Sequence, residues 1–394
     1  MKEVGVVTVG RSDYGIYLPL LARLREAPDF KLKLFVSGMH LSPQFGRTVD
    51  AIVRDGFSVA ERVEMLLSSD TPEAIAKSVG LGVIGFAQAF ARNRPDILVV
   101  LGDRFEMFAA ALAALPFGIP LAHIHGGEIT LGAIDDPLRH SITKLSHLHF
   151  VAAEEYRRRV IQLGEEPHRV FSVGAPALDH LRTMELWSKE ELACRFGLDF
   201  EEPPLLVTFH PVTREFEHTE QHITEILAAV SQTNMPVIFT APNADTNSHV
   251  ISRAVRQYAE TNPNARVVEN FGTRGYFSVM DQALAMVGNS SSGIIEAASF
   301  SLPVVNIGSR QAGRVQARNV INCKCEREPI GAAIAQATSP EFKTSLRGLA
   351  NPYGDGQAAR RIVDVLRAIS LDQESMAKPF YDVPVTIPRE TGAH

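Results

Sequence analysis

Residues 97–101 read Ile-Leu-Val-Val-Leu and run directly into Gly102, Asp103 and Arg104. Five apolar residues, three of them β-branched, are too few for a buried helix. A strand without polar alternation must be covered on both faces, which fits an interior strand of a parallel sheet. Similar short apolar runs occur at 4–9, 31–36, 119–124, 150–153, 169–173, 205–209, 237–240, 266–269, 285–287 and 304–307, with stretches of helical spacing between. That alternation predicts an α/β fold. The length of 394 residues exceeds the roughly 250–300 that one core serves, so the pattern predicts two doubly wound, Rossmann-like domains facing a cleft. Their expected extents are 1–176 and 204–356. A connection at 177–203 holds Trp187 and the Glu201-Glu202-Pro203-Pro204 break. Residues 357–394 are expected to form a helix and a proline-rich tail that cross back to the first domain.

Composition narrows the function classes. Hydrophobic residues make up 45% and charged residues 21%, as in soluble globular proteins, and the net charge of −6 comes without long runs of one sign. Nucleic acid is therefore not an expected partner. Cys194, Cys323 and Cys325 are odd in number and lack zinc-site spacing, which fits a reducing cytoplasm. The start MKEVGVVTVG carries Glu3 and continues into Arg11 and Asp13, so it reads as a first strand rather than a secretory signal. The one stretch considered for a membrane, 107–124, is cut by Pro116, Gly118 and Pro120 into pieces far below the ~20 residues a spanning helix needs. Gly80-Leu81-Gly82-Val83-Ile84-Gly85 matches a dinucleotide fingerprint, but Ile75, Val79, Val83, Phe86 and Phe90 keep a helical period straight through it. The expected meaning is a helix packed closely on the sheet, not a nicotinamide site.

Polar chemistry collects after the strands, where ligands bind in open α/β sheets. Asp103 and Arg104 follow one strand; His123, His125, Gly126, Gly127 and Glu128 close the next. Asp135-Asp136-Pro137 reads as a helix start with an aspartate cap, and His140, Lys144 and His147 would share one face of that helix. Gly10 to Gly15 form a glycine-bounded turn into a helix, where free amides and Arg11 suit a phosphate. In the second half, Phe209-His210-Pro211 and Ala241-Pro242-Asn243-Ala244-Asp245 follow strands. The serine-rich loop Gly288-Asn289-Ser290-Ser291-Ser292-Gly293 precedes an apolar helical stretch, 294–300, and offers hydroxyls and amides to a diphosphate. Glu296 would accept from a ribose diol and Arg310 would neutralise phosphate.

Taken in order, these motifs resemble the hydrolysing UDP-N-acetylglucosamine 2-epimerases of sialic-acid synthesis. The likeness runs from Gly10 to about Gly356 and rests on Arg-Ser-Asp-Tyr at 11–14, Gly-Asp-Arg at 102–104, His-Ile-His-Gly-Gly-Glu at 123–128 and Asp-Asp-Pro-Leu-Arg-His-Ser-Ile-Thr-Lys at 135–144. His-Pro-Val-Thr at 210–213, Gly-Asn-Ser-Ser-Ser-Gly at 288–293 and Gly-Ser-Arg-Gln-Ala-Gly-Arg at 308–314 complete it. The resemblance implies the glycosyltransferase-B fold, and conversion of UDP-N-acetylglucosamine and water to N-acetylmannosamine and UDP. The C2 proton has no adjacent carbonyl to acidify it. Its removal therefore accompanies loss of UDP from C1, giving a 2-acetamidoglucal to which water adds.

Such chemistry needs carboxylates near C2 and cations around the leaving diphosphate, with no metal and no cofactor. The resemblance implies Asp103, Glu128 and Asp135 as acid–base groups, with His125 and His210 beside them. It implies Arg11, Arg104, His210, Asn243, Phe271, Ser290, Ser291, Glu296 and Arg310 as the positions that hold the UDP-sugar, and a homodimer or homotetramer as the assembly. Two departures stand out: His125 occupies a position where many relatives carry glutamate, and Gly15 one where some carry a phosphate-contacting serine. Two other activities share these motifs. One is the same reaction on UDP-2,4-diacetamido-2,4,6-trideoxyglucose in legionaminic-acid synthesis. The other, sugar transfer by a glycosyltransferase of the same fold, would need less acid–base apparatus than the three carboxylates supply.

Overall fold

Every strand is parallel to its neighbours, and the strands form two sheets. The first holds β1 (Lys2–Thr8), β2 (Phe30–Ser37), β3 (Val59–Val63), β4 (Ile97–Leu101), β5 (Leu121–Ile124), β6 (Leu148–Val151) and β7 (Val170–Ser172), in the order β3-β2-β1-β4-β5-β6-β7. The second holds β8 (Leu205–Thr208), β9 (Val237–Thr240), β10 (Ala265–Val268), β11 (Ala285–Gly288), β12 (Val304–Ile307) and β13 (Val320–Cys323), in the order β10-β9-β8-β11-β12-β13. The computed structural model describes residues 1–69, 71–130, 134–212, 217–241, 248–372 and 376–384.

The predicted fold class is the observed one: two Rossmann-like sheets with helices on both faces. Coverage of both faces explains the unbroken apolar strands. In the second sheet Leu205 and Val207 pack with Val237, Phe239, Val287 and Val305 on one side, while Leu206 packs with Ile238, Met286 and Val304 on the other. Two edge strands, β3 and β13, were not predicted. Glu61 and Arg62 interrupt β3, and all four residues of β13 are partly or fully exposed, so neither resembles an interior run.

In each sheet the chain reverses its direction of growth once, between β1 and β4 and between β8 and β11. Right-handed crossovers then place the flanking helices on opposite faces and open a crevice beyond the carboxyl ends of those strands. The helix Pro72–Arg92 is long and apolar enough by composition to cross a bilayer, but its Phe86, Ala89 and Phe90 are buried in the first core. Its glycines allow close packing: a Cβ on Gly82 would lie 2.6 Å from Met65 Cε, and one on Gly85 would lie 2.6 Å from Val63 Cγ1. The stretch 107–124, read earlier as the one membrane candidate, divides into a buried helix within Phe105–Ala114 and strand β5.

Two crossings join the halves. Residues 177–203 are more helical than their weak pattern suggested, with helices His180–Thr183 and Lys189–Phe196. Asp179, at the start of that segment, accepts the amides of Ala358 and Ala359 at 2.8 and 2.7 Å, capping the returning helix Ala358–Ala368. That helix buries Ile362, Val363 and Leu366 in the core of the first sheet.

The final stretch is anchored there as well. The buried Glu165 carboxylate receives Lys144 Nζ at 2.5 Å, His149 Nε2 at 2.9 Å and Lys378 Nζ at 2.9 Å. Burial pushes this carboxyl up, but hydrogen bonding and charge from His149 and Lys144 outweigh it and pull it down to about 2. Its folded value therefore lies below the ordinary 4.5, so its stabilising contribution is full above that pH and vanishes as the pH falls toward 2. We expect the gap in melting temperature between the wild type and Glu165→Gln to be widest near pH ~6 and to narrow steadily below pH ~4. A gap that does not change with pH would disprove this account of the cluster.

Candidate active site

At the first reversal, β1 delivers Gly10 and Arg11, and β4 delivers Gly102, Asp103 and Arg104. Arg11 is exposed at the first position of the helix Arg11–Glu26, whose amide end has no side-chain cap. Asp13 turns inward: its Oδ2 accepts from Thr8 Oγ1 at 2.6 Å and Val9 N at 2.8 Å. Asp103 and Arg104, adjacent in sequence, do not pair with each other. Asp103 accepts from Arg139 Nη2, whereas Arg104 forks onto the fully buried Glu106 through Nε at 3.2 Å and Nη2 at 3.0 Å. The guanidinium proposed for phosphate thus already holds a carboxylate, and it sits beside Asp135, whose carboxyl is pushed up by burial and partly drawn back by Arg104.

β5 positions the next group. His123 is fully buried, and its ring nitrogens meet Gly102 O at 2.8 Å and Thr143 Oγ1 at 3.1 Å. Burial lowers it to about 3, so it is a neutral tie between the Gly-Asp-Arg turn and the helix Asp135–Leu145. His125 adopts a left-handed backbone, φ 64°, uncommon outside glycine. Its Nδ1 lies 2.6 Å from Glu128 Oε1. The intervening Gly127 has φ 78°, and a Cβ there would fall 2.5 Å from Tyr156 O. Glu128 is buried, which pushes its carboxyl up, but His125 and Arg314 more than offset this and hold it below the ordinary carboxylate range.

The helix below this group differs in detail from its sequence reading. It begins at Asp135 with Ile134 as its cap and Pro137 as its third residue, and it ends at Leu145. His147 therefore lies beyond it and accepts from Leu121 N at 3.2 Å, so of the predicted shared face only His140 and Lys144 stand on the helix, and Lys144 pairs with Glu165. The sequence reading gave Arg139 no role. It is 3% exposed, donates through Nη2 to Asp103 and to Thr130 Oγ1 at 3.1 Å, and leaves Nε and Nη1 buried without a partner among the described residues. Its spacing of four from Asp135 was the signal: both belong to one turn of one helix.

The second reversal is pinned by Asn289, 1% exposed. Its Oδ1 accepts His210 N at 2.7 Å, its Nδ2 donates to His210 O at 2.8 Å, and its own carbonyl accepts Arg310 Nη1 at 3.1 Å and Gln311 Nε2 at 2.8 Å. One side chain and one peptide thereby fix the loops after β8, β11 and β12. His210 is buried beside Arg310, and burial above all lowers it to about 3. Ser290 caps a short helix, Ser291–Ile295, accepting from Ser292 N at 3.3 Å; the longer helix expected over 294–300 is instead this segment followed by a 3-10 turn. Burial raises Glu296 to about 7, and its Oε2 is buried with no partner among the described residues. Phe271 is buried in the core with its ring against Phe196, centroids 4.7 Å apart, so packing occupies the side chain. Asn243 lies outside the described residues.

The two groups approach each other. Arg314, on the loop after β12, reaches across to Glu128 with Nη2 3.9 Å from Oε2, and Glu296 lies within the electrostatic range of His125. Glu128 and His125 of the first sheet thus lie beside Arg314 and Glu296 of the second.

A family model for UDP-N-acetylglucosamine 2-epimerase matches residues 22–367. The chain belongs to this family. It is 36% identical over 379 residues to the hydrolysing UDP-N,N'-diacetylbacillosamine 2-epimerase of Legionella pneumophila, spanning 96% of this chain and 99% of that one. It is 38% identical to the hydrolysing GDP/UDP-N,N'-diacetylbacillosamine 2-epimerase of Campylobacter jejuni, spanning 87% and 89%. Among solved structures, the Neisseria meningitidis UDP-GlcNAc 2-epimerase bound to UDP-GlcNAc superposes with a TM-score of 0.79 at 17% identity, over 93% of this chain and 99% of that one. Within this 2-epimerase fold, the reversal points of the two sheets are where the named side chains converge.

Proposed function

We propose that this 2-epimerase family member hydrolyses a UDP-2-acetamido sugar by elimination and hydration. One observation carries the reading: Arg314 of the second sheet meets Glu128 of the first, while Asp103 pairs with Arg139 and Asp135 lies beside Arg104. A carboxylate near C2 takes the proton as the C1–O bond breaks, its electrons leaving with the diphosphate and a C1=C2 bond forming. Water then adds its oxygen to C1, and a proton returns to C2 from the face that gives the manno product. Glu128 is held charged by its neighbours and suits the base, whereas Asp135, pushed up by burial, suits the proton donor. Environments that drive two carboxyls apart in this way are how one site supplies both.

UDP falls to the second sheet. Arg310, the amides and hydroxyls of the Ser290–Ser291 turn, and Arg11 from the facing helix end suit the diphosphate. The unpartnered Oε2 of Glu296 suits a ribose hydroxyl. Arg104, already forked onto Glu106, serves Asp135 more directly than phosphate.

For the sugar, we read UDP-2,4-diacetamido-2,4,6-trideoxyglucose as substrate. The support is the two relatives at 36% and 38% identity whose names carry it. The family resemblance of the motifs puts UDP-N-acetylglucosamine first, but none of those motifs reads the C4 or C6 substituent, so they do not separate the two sugars. Assaying both UDP-sugars side by side tests the assignment. We expect kcat/KM to favour the diacetamido sugar by about 10²-fold, the order of discrimination that a methyl-sized difference in a pocket produces. A preference for UDP-N-acetylglucosamine would reverse the assignment.

A further inference from the structure

The loop carrying Arg314 is fastened to the opposite half of the molecule by two tyrosine hydroxyls. Tyr156, on the helix Glu154–Gln162, and Tyr353, in the second crossing, are both 0% exposed. Their hydroxyls lie 2.8 Å apart. Val315 N donates to Tyr156 Oη at 3.1 Å, and Tyr353 Oη donates to Val315 O at 3.0 Å. Because the Tyr353 proton goes to that carbonyl, the bond between the hydroxyls must be donated by Tyr156. A closed ring of three hydrogen bonds therefore satisfies both polar groups of one residue, and that residue is the neighbour of Arg314.

Packing alone does not account for two tyrosines at these places. Phenylalanines would fill the same apolar cluster of Val151, Val160, Leu178 and Ile294 without burying hydroxyls that must be satisfied. The main chain strengthens the tie: Ala175 N donates to Tyr353 O at 2.7 Å, so Tyr353 is itself fixed to the end of the first half, just after β7. Arg314 is the side chain through which this anchor meets the cleft, 3.9 Å from Glu128.

We propose that Tyr156 and Tyr353 are positioning residues that hold Arg314 against Glu128 across the cleft, and that turnover depends on their hydroxyls through Arg314. The proposal rests on the reading of Glu128 as an acid–base group. Neither tyrosine touches the reacting sugar. Their hydroxyls fix the peptide from which the guanidinium projects.

The test is a set of kcat and KM measurements on Tyr156→Phe, Tyr353→Phe, Arg314→Gln and the two double variants, with melting curves to monitor folding. Each phenylalanine is expected to lower kcat by about tenfold with a smaller change in KM, and to lower it no further once Arg314 is glutamine, the signature of residues acting as one unit. Unchanged kcat in the phenylalanine variants, or a loss that adds in full to that of Arg314→Gln, overturns the proposal. If the phenylalanine variants do not fold, Arg314→Gln decides alone: wild-type kcat there leaves nothing for the tyrosines to position and overturns it. Glu128→Gln, measured in parallel, separates the two levels of argument. Wild-type turnover in it refutes the acid–base role and this proposal together, whereas lost turnover with silent tyrosines refutes the proposal alone.

Discussion

Replacing Asp103 with asparagine is expected to cut kcat by ~10²-fold or more, the usual weight of a general acid–base group, while UDP affinity stays within about threefold of wild type. The separation follows from location. Asp103 stands at the carboxyl end of β4 and contacts Arg139, whereas the loops proposed for UDP are fixed by Asn289 on the second sheet. Asparagine keeps an oxygen for Arg139, so the buried guanidinium retains an acceptor and the variant should melt as a folded protein. Removing the charge is what matters, because a neutral amide can neither exchange a proton in the site nor balance the charge of the buried Arg139 guanidinium. Steady-state kinetics and UDP titration check the two halves of the expectation. A loss of UDP affinity matching the loss of turnover would mean that Asp103 binds the nucleotide.

The largest effect on stability is expected at Gly288. Its φ of 137° lies in the range that side chains rarely adopt, and a Cβ there would sit 1.9 Å from Thr208 O, a main-chain atom of the adjoining strand β8. That contact cannot be relieved by a rotamer change; β8 and β11 would have to move apart where Asn289 ties them together. Gly288→Ala is therefore expected to cost more than ~4 kcal/mol and to leave the second sheet without a cooperative melt. Denaturant unfolding followed by circular dichroism reads this directly. A variant melting within a few degrees of wild type would show that the close approach is not required.

Interior strands and the loops that end them were legible because parallel burial writes itself into sequence as short apolar runs, and ligands collect where those runs stop. The turn after β4 and the segment after β5 were readable on that ground. What escaped depends on distant segments meeting. β3 and β13 carry edge polarity and gave no apolar run. The burial of Arg139 depends on its meeting Asp103, 36 positions away, and the fork of Arg104 onto Glu106, though local, turns on Glu106 being fully buried. Arg314 on Glu128, and Val315 on Tyr156 behind it, join residues separated by more than 150 positions. His147 shows the converse error: perfect helical spacing on paper, placed past the end of the actual helix.

In the proposed reaction the two sheets act on one sugar nucleotide by taking and returning the proton at C2. Turnover in deuterium oxide, with the product read at C2 by proton NMR and the nucleotide product read in the same tube, tests it most directly. The expected product is a manno-configured free sugar carrying one deuterium at C2, released with an equal amount of UDP. A product that keeps its original proton at C2, or a sugar still attached to UDP, would contradict it.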